Sequence, residues 1–79
     1  MQWYYKLLEQ AGGFYLYAYS REGKDYDGRI RCAEKSGNSE LIVPAKGDAE
    51  NKLLQEMALS HFWRVISEGF PSERSVCCG

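Results

Sequence analysis

The sequence predicts an α+β fold, in which a four-stranded antiparallel β-meander is followed by one long C-terminal α-helix packed on one face. Two observations predict it. Roughly forty residues near the start form short aromatic and β-branched stretches separated by turn residues. A longer stretch from Asp48 to Phe70 then carries apolar residues at helical spacing. We therefore expect a single domain over residues 1–71 and a flexible tail over residues 72–79.

The first two predicted strands lie on either side of a glycine pair. Residues 2–9 are rich in aromatic residues and leucine, which favours a strand. Gly12 and Gly13 break the chain, and residues 14–19 alternate between tyrosines and smaller apolar residues or phenylalanine. Both faces of the second strand are thus apolar or aromatic, so its pattern does not reveal which face is buried.

The third predicted strand, residues 28–33, has two possible registers against the second. A two-residue loop between them would place Tyr17 opposite Ile30, whereas a loop of about three to five residues would place Leu16 beside Ile30. We favour the longer loop, because it buries Leu16 and leaves the tyrosines beside the arginines of the third strand.

The fourth predicted strand covers residues 40–43. A tight turn centred on Gly37 and Asn38 precedes it, and this turn would pair Cys32 with Val43. Pro44 ends the strand, because proline cannot donate a hydrogen bond to a neighbouring strand.

The predicted helix has clear signals at both ends and a wide apolar arc. Asp48 is a suitable N-cap, and Gly69 followed by a proline two residues later is a stop signal. Leu59, Trp63 and Ile66 extend the apolar side beyond what one sheet can cover. Burial of a large aromatic side chain is worth about 2 to 3 kcal/mol, so the arc predicts a second surface that meets the helix.

We expect this second surface to belong to another copy of the chain, most simply in a two-fold dimer, or to another protein. A monomer is the alternative, with the N-terminal strand and the tail covering the helix and tyrosine hydroxyls facing water. The predicted interface residues come from the helix and from the tyrosine row of the second strand. They are Leu59, Trp63, Ile66, Phe70, Tyr15, Tyr17 and Tyr19.

Composition excludes several classes of protein. The 79 residues include 10 basic and 11 acidic ones, so the formal charge of -1 provides no general attraction for nucleic acid or anionic lipid. No run approaches the roughly 20 apolar residues of a membrane span, and a secretory leader is not expected. The 3 cysteines are an odd number, which does not indicate a disulfide framework. These features predict a cytoplasmic protein.

A nucleic-acid contact is the alternative function that the residues suggest. Arg29 and Arg31 would be flanked by the tyrosine row, and such an arrangement combines rings that stack on bases with cations that contact phosphate. No RNP-like motif is present, so a protein-interaction module remains the preferred hypothesis.

We expect no enzyme activity, cofactor or metal site. His61 is the only histidine, and neither Cys32 nor Ser60 lies in a nucleophile motif that would use it. Adjacent cysteines are poorly spaced for zinc, and an acidic hairpin tip does not match a calcium loop. The adjacent cysteines are Cys77 and Cys78, and the acidic residues of the hairpin tip are Glu22, Asp25 and Asp27.

Several segments resemble known proteins. They are Tyr4-Tyr5-Lys6-Leu7, Asp27-Gly28-Arg29-Ile30, His61-Phe62-Trp63-Arg64-Val65-Ile66 and Glu68-Gly69-Phe70-Pro71. In these the chain resembles a group of short uncharacterised proteins from anaerobic Gram-positive bacteria, which also run through a meander into a helix ending near Gly-Phe-Pro. The resemblance implies a small cytoplasmic bacterial protein and transfers no site residues.

A second resemblance is to HicB-type antitoxins. The segment Gly13-Phe14-Tyr15-Leu16-Tyr17 and the helix after Asp48 are similar to the aromatic strand and the sheet-covering helix of that family. The predicted strand at residues 40–43 is additional, and no DNA-binding tail is expected. This resemblance implies a toxin-neutralising role as an alternative function.

Overall fold

The computed structural model describes residues 2–23 and 25–77, which form five strands and one helix. In chain order these are β1 (Gln2–Ala11), β2 (Phe14–Ser20), β3 (Gly28–Ala33), β4 (Ser39–Val43), α1 (Lys52–Ser67) and β5 (Glu73–Cys77). The strands form one antiparallel sheet in the order β4-β3-β2-β1-β5. The predicted α+β class with an antiparallel sheet and one helix is confirmed, but the sheet has five strands rather than four.

The additional strand lies where the sequence predicts a flexible tail. Glu73–Cys77 pair with β1, and Trp3 lies opposite Val76. Arg74 also donates two hydrogen bonds of 2.9 Å to the carboxylate of Glu68 after the helix. β5 thus covers part of the edge that β1 would otherwise expose. Residues 78 and 79, the last two of the predicted tail, lie outside the described residues.

The helix is shorter than predicted at both ends. Asn51 is the N-cap, and its side chain accepts a hydrogen bond from the amide of Leu54, so the prediction of Asp48 as N-cap is wrong. The predicted stop at Gly69 agrees with its left-handed φ of 81°. Because α1 lies between β4 and β5 in the chain, it is followed by a strand and does not end the fold.

The register of β2 against β3 is the one expected of a two-residue loop, so the favoured prediction is wrong. Tyr17 lies opposite Ile30, and Leu16 lies opposite Arg31. The last pair is Tyr19 with Gly28, so the connection is longer than five residues, yet the paired residues are those expected of a two-residue loop.

The pairing of β3 with β4 also differs from the prediction. Cys32 lies opposite Ser39, not Val43, and Val43 lies opposite Arg29 across a register shift. The reason is that the turn is centred on Lys35 and Ser36 rather than on Gly37 and Asn38, since the amide of Ala33 donates a hydrogen bond of 2.9 Å to the carbonyl of Asn38. An irregularity near the far end of β4 then shifts Val43 by one further residue.

The core lies between α1 and one face of the sheet. Its fully enclosed large side chains are Trp3, Tyr5, Tyr17, Tyr19, Ile30, Phe62 and Val65. Two buried tyrosine hydroxyls donate to backbone carbonyls, from Tyr5 to Ala58 at 2.7 Å and from Tyr17 to Pro71 at 2.6 Å. These bonds satisfy the phenol groups that burial removes from water, so the tyrosines can form the core.

The buried tyrosines predict a stability that falls in strong alkali. Burial raises the pKa of Tyr17 to about 12, and burial also raises the pKa of Tyr5 well above its ordinary range. Because an unfolded tyrosine ionises near about 10, the folded state retains protons that the unfolded state has lost. The stabilisation is complete below about pH 10 and should disappear as the pH rises from about 10 towards 12.

A pH titration that follows tyrosinate absorbance and circular dichroism together checks this expectation. The part of the absorbance rise that comes from the buried tyrosines should coincide with the loss of the dichroism signal, and Tyr17→Phe should reduce the pH dependence of the free energy of unfolding. A rise in absorbance near pH 10 that involves all six tyrosines and leaves the dichroism unchanged would contradict it.

Candidate protein-interaction surface

The helix covers one face of the sheet, and the opposite face is partly uncovered. Residues directly opposite each other in an antiparallel pair point to the same face. Tyr17 and Ile30 lie under the helix, so Leu16 and Arg31 point away from it. We call this side the open face, and its residues include Tyr4, Lys6, Glu9, Phe14, Leu16, Ala18, Arg29, Arg31, Glu40 and Ile42.

One end of the open face is covered by the loop between β2 and β3. The ring of Tyr26 lies 5.0 Å from the Lys6 ammonium, and Lys6 also forms a 3.7 Å ion pair with Glu73. Arg29 donates to the backbone carbonyl of Tyr26 at 2.7 Å, which fixes the loop against this end. The other end of the open face has no such cover within the described residues.

The uncovered end is apolar. Phe14 is 42% exposed and Ile42 on β4 is 47% exposed, and Leu16 lies two residues after Phe14 on the same strand, β2. Together with Glu9, Ala11 and Arg31, these three side chains line a shallow hollow of about 340 Å³. Large apolar side chains that share one hollow are unlike the isolated exposed ones found on most surfaces.

A second hollow lies on the other side of Phe14 and Arg31. Its volume is about 320 Å³, and its lining is more polar, with Ser36, Asn38 and Glu40 among the contributing residues. The Arg31 guanidinium lies 5.0 Å from the Phe14 ring and forms an ion pair with Glu40. Phe14 and Arg31 therefore form a ridge between two hollows.

The predicted tyrosine interface lies in the core instead. Tyr17 and Tyr19 are fully buried under the helix, and the Tyr15 ring stacks on Phe70 with a centroid distance of 3.9 Å. A one-residue difference in register moves this row from the solvent to the helix side. The same difference moves Phe14 and Leu16 to the open face.

The predicted nucleic-acid contact is not assembled in the expected way. Arg29 and Arg31 point to the open face, whereas the tyrosine row that should flank them lies on the opposite face. Both guanidinium groups are also engaged, since Arg31 pairs with Glu40 and Arg29 donates to two backbone carbonyls. Each guanidinium therefore already has a partner in the same chain, although the Arg31 side chain is still 48% exposed.

The helix residues predicted at an interface have different environments. Leu59, Ile66 and Phe70 are partly buried against the core, whereas Trp63 is 54% exposed. The guanidinium of Arg64 lies 5.0 Å from the Trp63 ring. The sheet and its connections thus shield more of the helix than the sequence suggests, and Trp63 remains available to solvent.

The residues considered for catalysis do not form a reactive site. Cys32 is buried, and burial raises the pKa of its thiol, which disfavours the reactive thiolate. His61 lies beside Trp3, with ring centroids 6.0 Å apart, and its Nε2 has no hydrogen-bond partner among residues 2–23 and 25–77. Neither contact provides a nucleophile with an adjacent base.

The acidic hairpin tip has a structural environment of mixed charge. Asp27 accepts a hydrogen bond of 3.2 Å from the amide of Lys46. Asp27 and Arg21 both line a hollow of about 160 Å³. Within the described part of the chain, no three or more histidine, cysteine or carboxylate side chains are grouped suitably for a metal ion. Cys78 of the cysteine pair lies outside the described residues.

Comparison with known proteins adds no family. No family model matches the sequence, and no curated protein or solved structure matches it either. Among the residues that the structure describes, no helix has both the length and the apolar character needed to cross a membrane.

Proposed function

We propose that this protein is a non-enzymatic interaction module that binds a protein surface through the uncovered end of its open face. The observation that carries the proposal is the apolar group of Phe14, Leu16 and Ile42 around one hollow, on a sheet whose other face already holds the core. Contact with a protein would remove this apolar area from water, which is favourable in proportion to the area.

The charges of the open face favour a protein partner over a polyanion. The three cations Lys6, Arg29 and Arg31 are all engaged by carboxylates or backbone carbonyls of the same chain. Binding to nucleic acid draws much of its free energy from cations that replace counterions on phosphates. An apolar centre with a polar rim is instead the usual organisation of a protein interface.

A site-specific photo-crosslinking experiment tests this proposal. A benzophenone amino acid replaces Ile42 on the open face in one variant and Leu53 on the helix in another. Leu53 is a suitable control because it is also a large apolar residue and is 65% exposed. Both variants are irradiated in host cells and as purified protein.

Crosslinks from position 42 to a protein, either another copy or a different chain, and their absence from position 53 would support the proposal. If neither position forms a protein crosslink, or both form the same ones, the open face is not a specific interaction surface and the proposal fails.

A further inference from the structure

We infer that the protein bound to the open face is a second copy of this chain, packed sheet against sheet about a two-fold axis with each Phe14 inserted into the other copy's hollow. This inference rests on the proposed function and names its partner. It follows from the shape of the uncovered end, from the placement of its charges and from its size.

The shape of the open face is complementary to itself. The ridge of Phe14 and Arg31 stands directly beside the hollow lined by Leu16 and Ile42. A two-fold axis applies the same displacement in both directions, so one ridge can enter the opposite hollow while the opposite ridge enters the first. The hollow of about 340 Å³ is comparable with small ligand pockets, so an aromatic ring can be accommodated.

The charges are complementary in the same arrangement. Glu9 lines the hollow and forms no ion pair within residues 2–23 and 25–77. Arg31 lies over the Phe14 ring on the ridge, and although one of its nitrogens contacts Glu40, its side chain is 48% exposed and can also meet a second carboxylate. Insertion of one ridge into the other hollow brings Arg31 of one copy towards Glu9 of the other. The two-fold axis repeats this pair, so the dimer would have two such contacts between opposite charges.

The size of the surface predicts a weak dimer. Neighbouring strands are about 4.8 Å apart, so four strands of the uncovered end measure roughly 15 to 20 Å across, which corresponds to burial on the order of 1,000 Å² for two copies. This is the lower end of the range for specific interfaces. Dissociation in the micromolar range is therefore expected, with a population of dimers that depends on protein concentration.

A charge-exchange experiment tests the inference by sedimentation equilibrium. The unsubstituted protein should show a monomer–dimer equilibrium. Glu9→Arg would oppose Arg31 across the axis, and Arg31→Glu would oppose Glu9, so each variant alone should dimerise at least tenfold more weakly. A mixture of the two variants restores both pairs of opposite charge, and heterodimers should form with an affinity close to that of the original dimer.

Two further variants control for folding and location. Arg31→Glu places a carboxylate near Glu40, so its circular dichroism is compared with that of the unsubstituted protein. Ile42→Glu changes the hollow without touching either charge and should also weaken the dimer. Trp63→Glu on the helix should leave it unchanged.

The outcomes separate this inference from the proposed function. A protein that stays monomeric up to millimolar concentration, while position 42 crosslinks to a different protein, would overturn the dimer and leave the interaction module in place. A dimer that resists Glu9→Arg and Ile42→Glu but dissociates with Trp63→Glu would overturn the inference and place the contact on the helix. Recovery of dimers in the mixed sample would support the two-fold arrangement directly.

Discussion

Replacement of Phe62 by alanine is expected to lower the free energy of unfolding by about 3 to 5 kcal/mol. Phe62 is fully buried at the centre of the helix face that meets the sheet. Its ring makes edge contacts with Tyr5 and Tyr17, at centroid distances of 5.3 and 5.2 Å. Alanine would lose both contacts and leave a cavity. Urea denaturation followed by circular dichroism measures the loss.

The neighbouring aromatic residue provides a matched control. Trp63 is larger than Phe62 but is 54% exposed, so Trp63→Ala should cost only about 1 kcal/mol or less. If Phe62→Ala proves too unstable to measure, Phe62→Leu keeps most of the volume and should still cost more than Trp63→Ala. Equal decreases in the free energy of unfolding for Phe62→Ala and Trp63→Ala would mean that the helix does not pack on the sheet through the face that contains Phe62.

The sequence predicts where the second and third strands lie but not how they pair. Gly12 and Gly13 mark the start of β2, and the predicted third strand has the same ends as β3. The register was wrong because both faces of β2 are apolar, and periodicity alone cannot choose between them. Tyrosine is the larger side chain, and the Tyr17 hydroxyl reaches a carbonyl in a distant segment, which local sequence does not show.

The candidate site could not be located from the sequence because it depends on that register. The residues that the sequence assigns to the core, such as Leu16, point to the open face, and the tyrosines that it assigns to a surface form the core. A single slip exchanges the two sets. The sequence predicts the excess of apolar side chains on the helix and the tyrosine row, whereas the hollow of the open face is lined by Phe14, Leu16 and Ile42.

β5 was not predicted because the sequence of residues 73–77 has only a weak strand pattern. Glu73–Cys77 contains one buried apolar residue, Val76, and its strand conformation depends on the free edge of β1. Without knowledge that the chain returns to β1 after the helix, such a segment is typical of a terminal tail.

Asp48 was assigned to the wrong role for a related reason. An aspartate shortly before a helical pattern is a common N-cap, but here the side chain is buried and Oδ1 accepts a hydrogen bond of 3.1 Å from Nε of Arg21. Arg21 lies 27 residues earlier in the chain, directly after β2. A pair at this separation is visible only in three dimensions, and it attaches the segment before α1 to the sheet.

Removal of Arg21 is expected to destabilise the protein by about 3 to 5 kcal/mol, because it leaves the carboxylate of Asp48 buried without its cation. Arg21→Met keeps much of the aliphatic stem and removes the charge. Asp48 Oδ2 already has no hydrogen-bond partner in the described part of the chain, so loss of the Oδ1 contact would leave the side chain without compensation. Chemical denaturation near neutral pH measures the change.

A double-mutant cycle tests whether the cost arises from the unpaired charge. Asp48→Asn alone should cost less than Arg21→Met, because the Arg21 side chain is 29% exposed and can be partly hydrated. The double variant should be more stable than Arg21→Met alone, since it removes the buried carboxylate as well. Additive losses from the two changes would instead show that the residues act independently, and that the segment before α1 is held by its backbone contacts rather than by this ion pair.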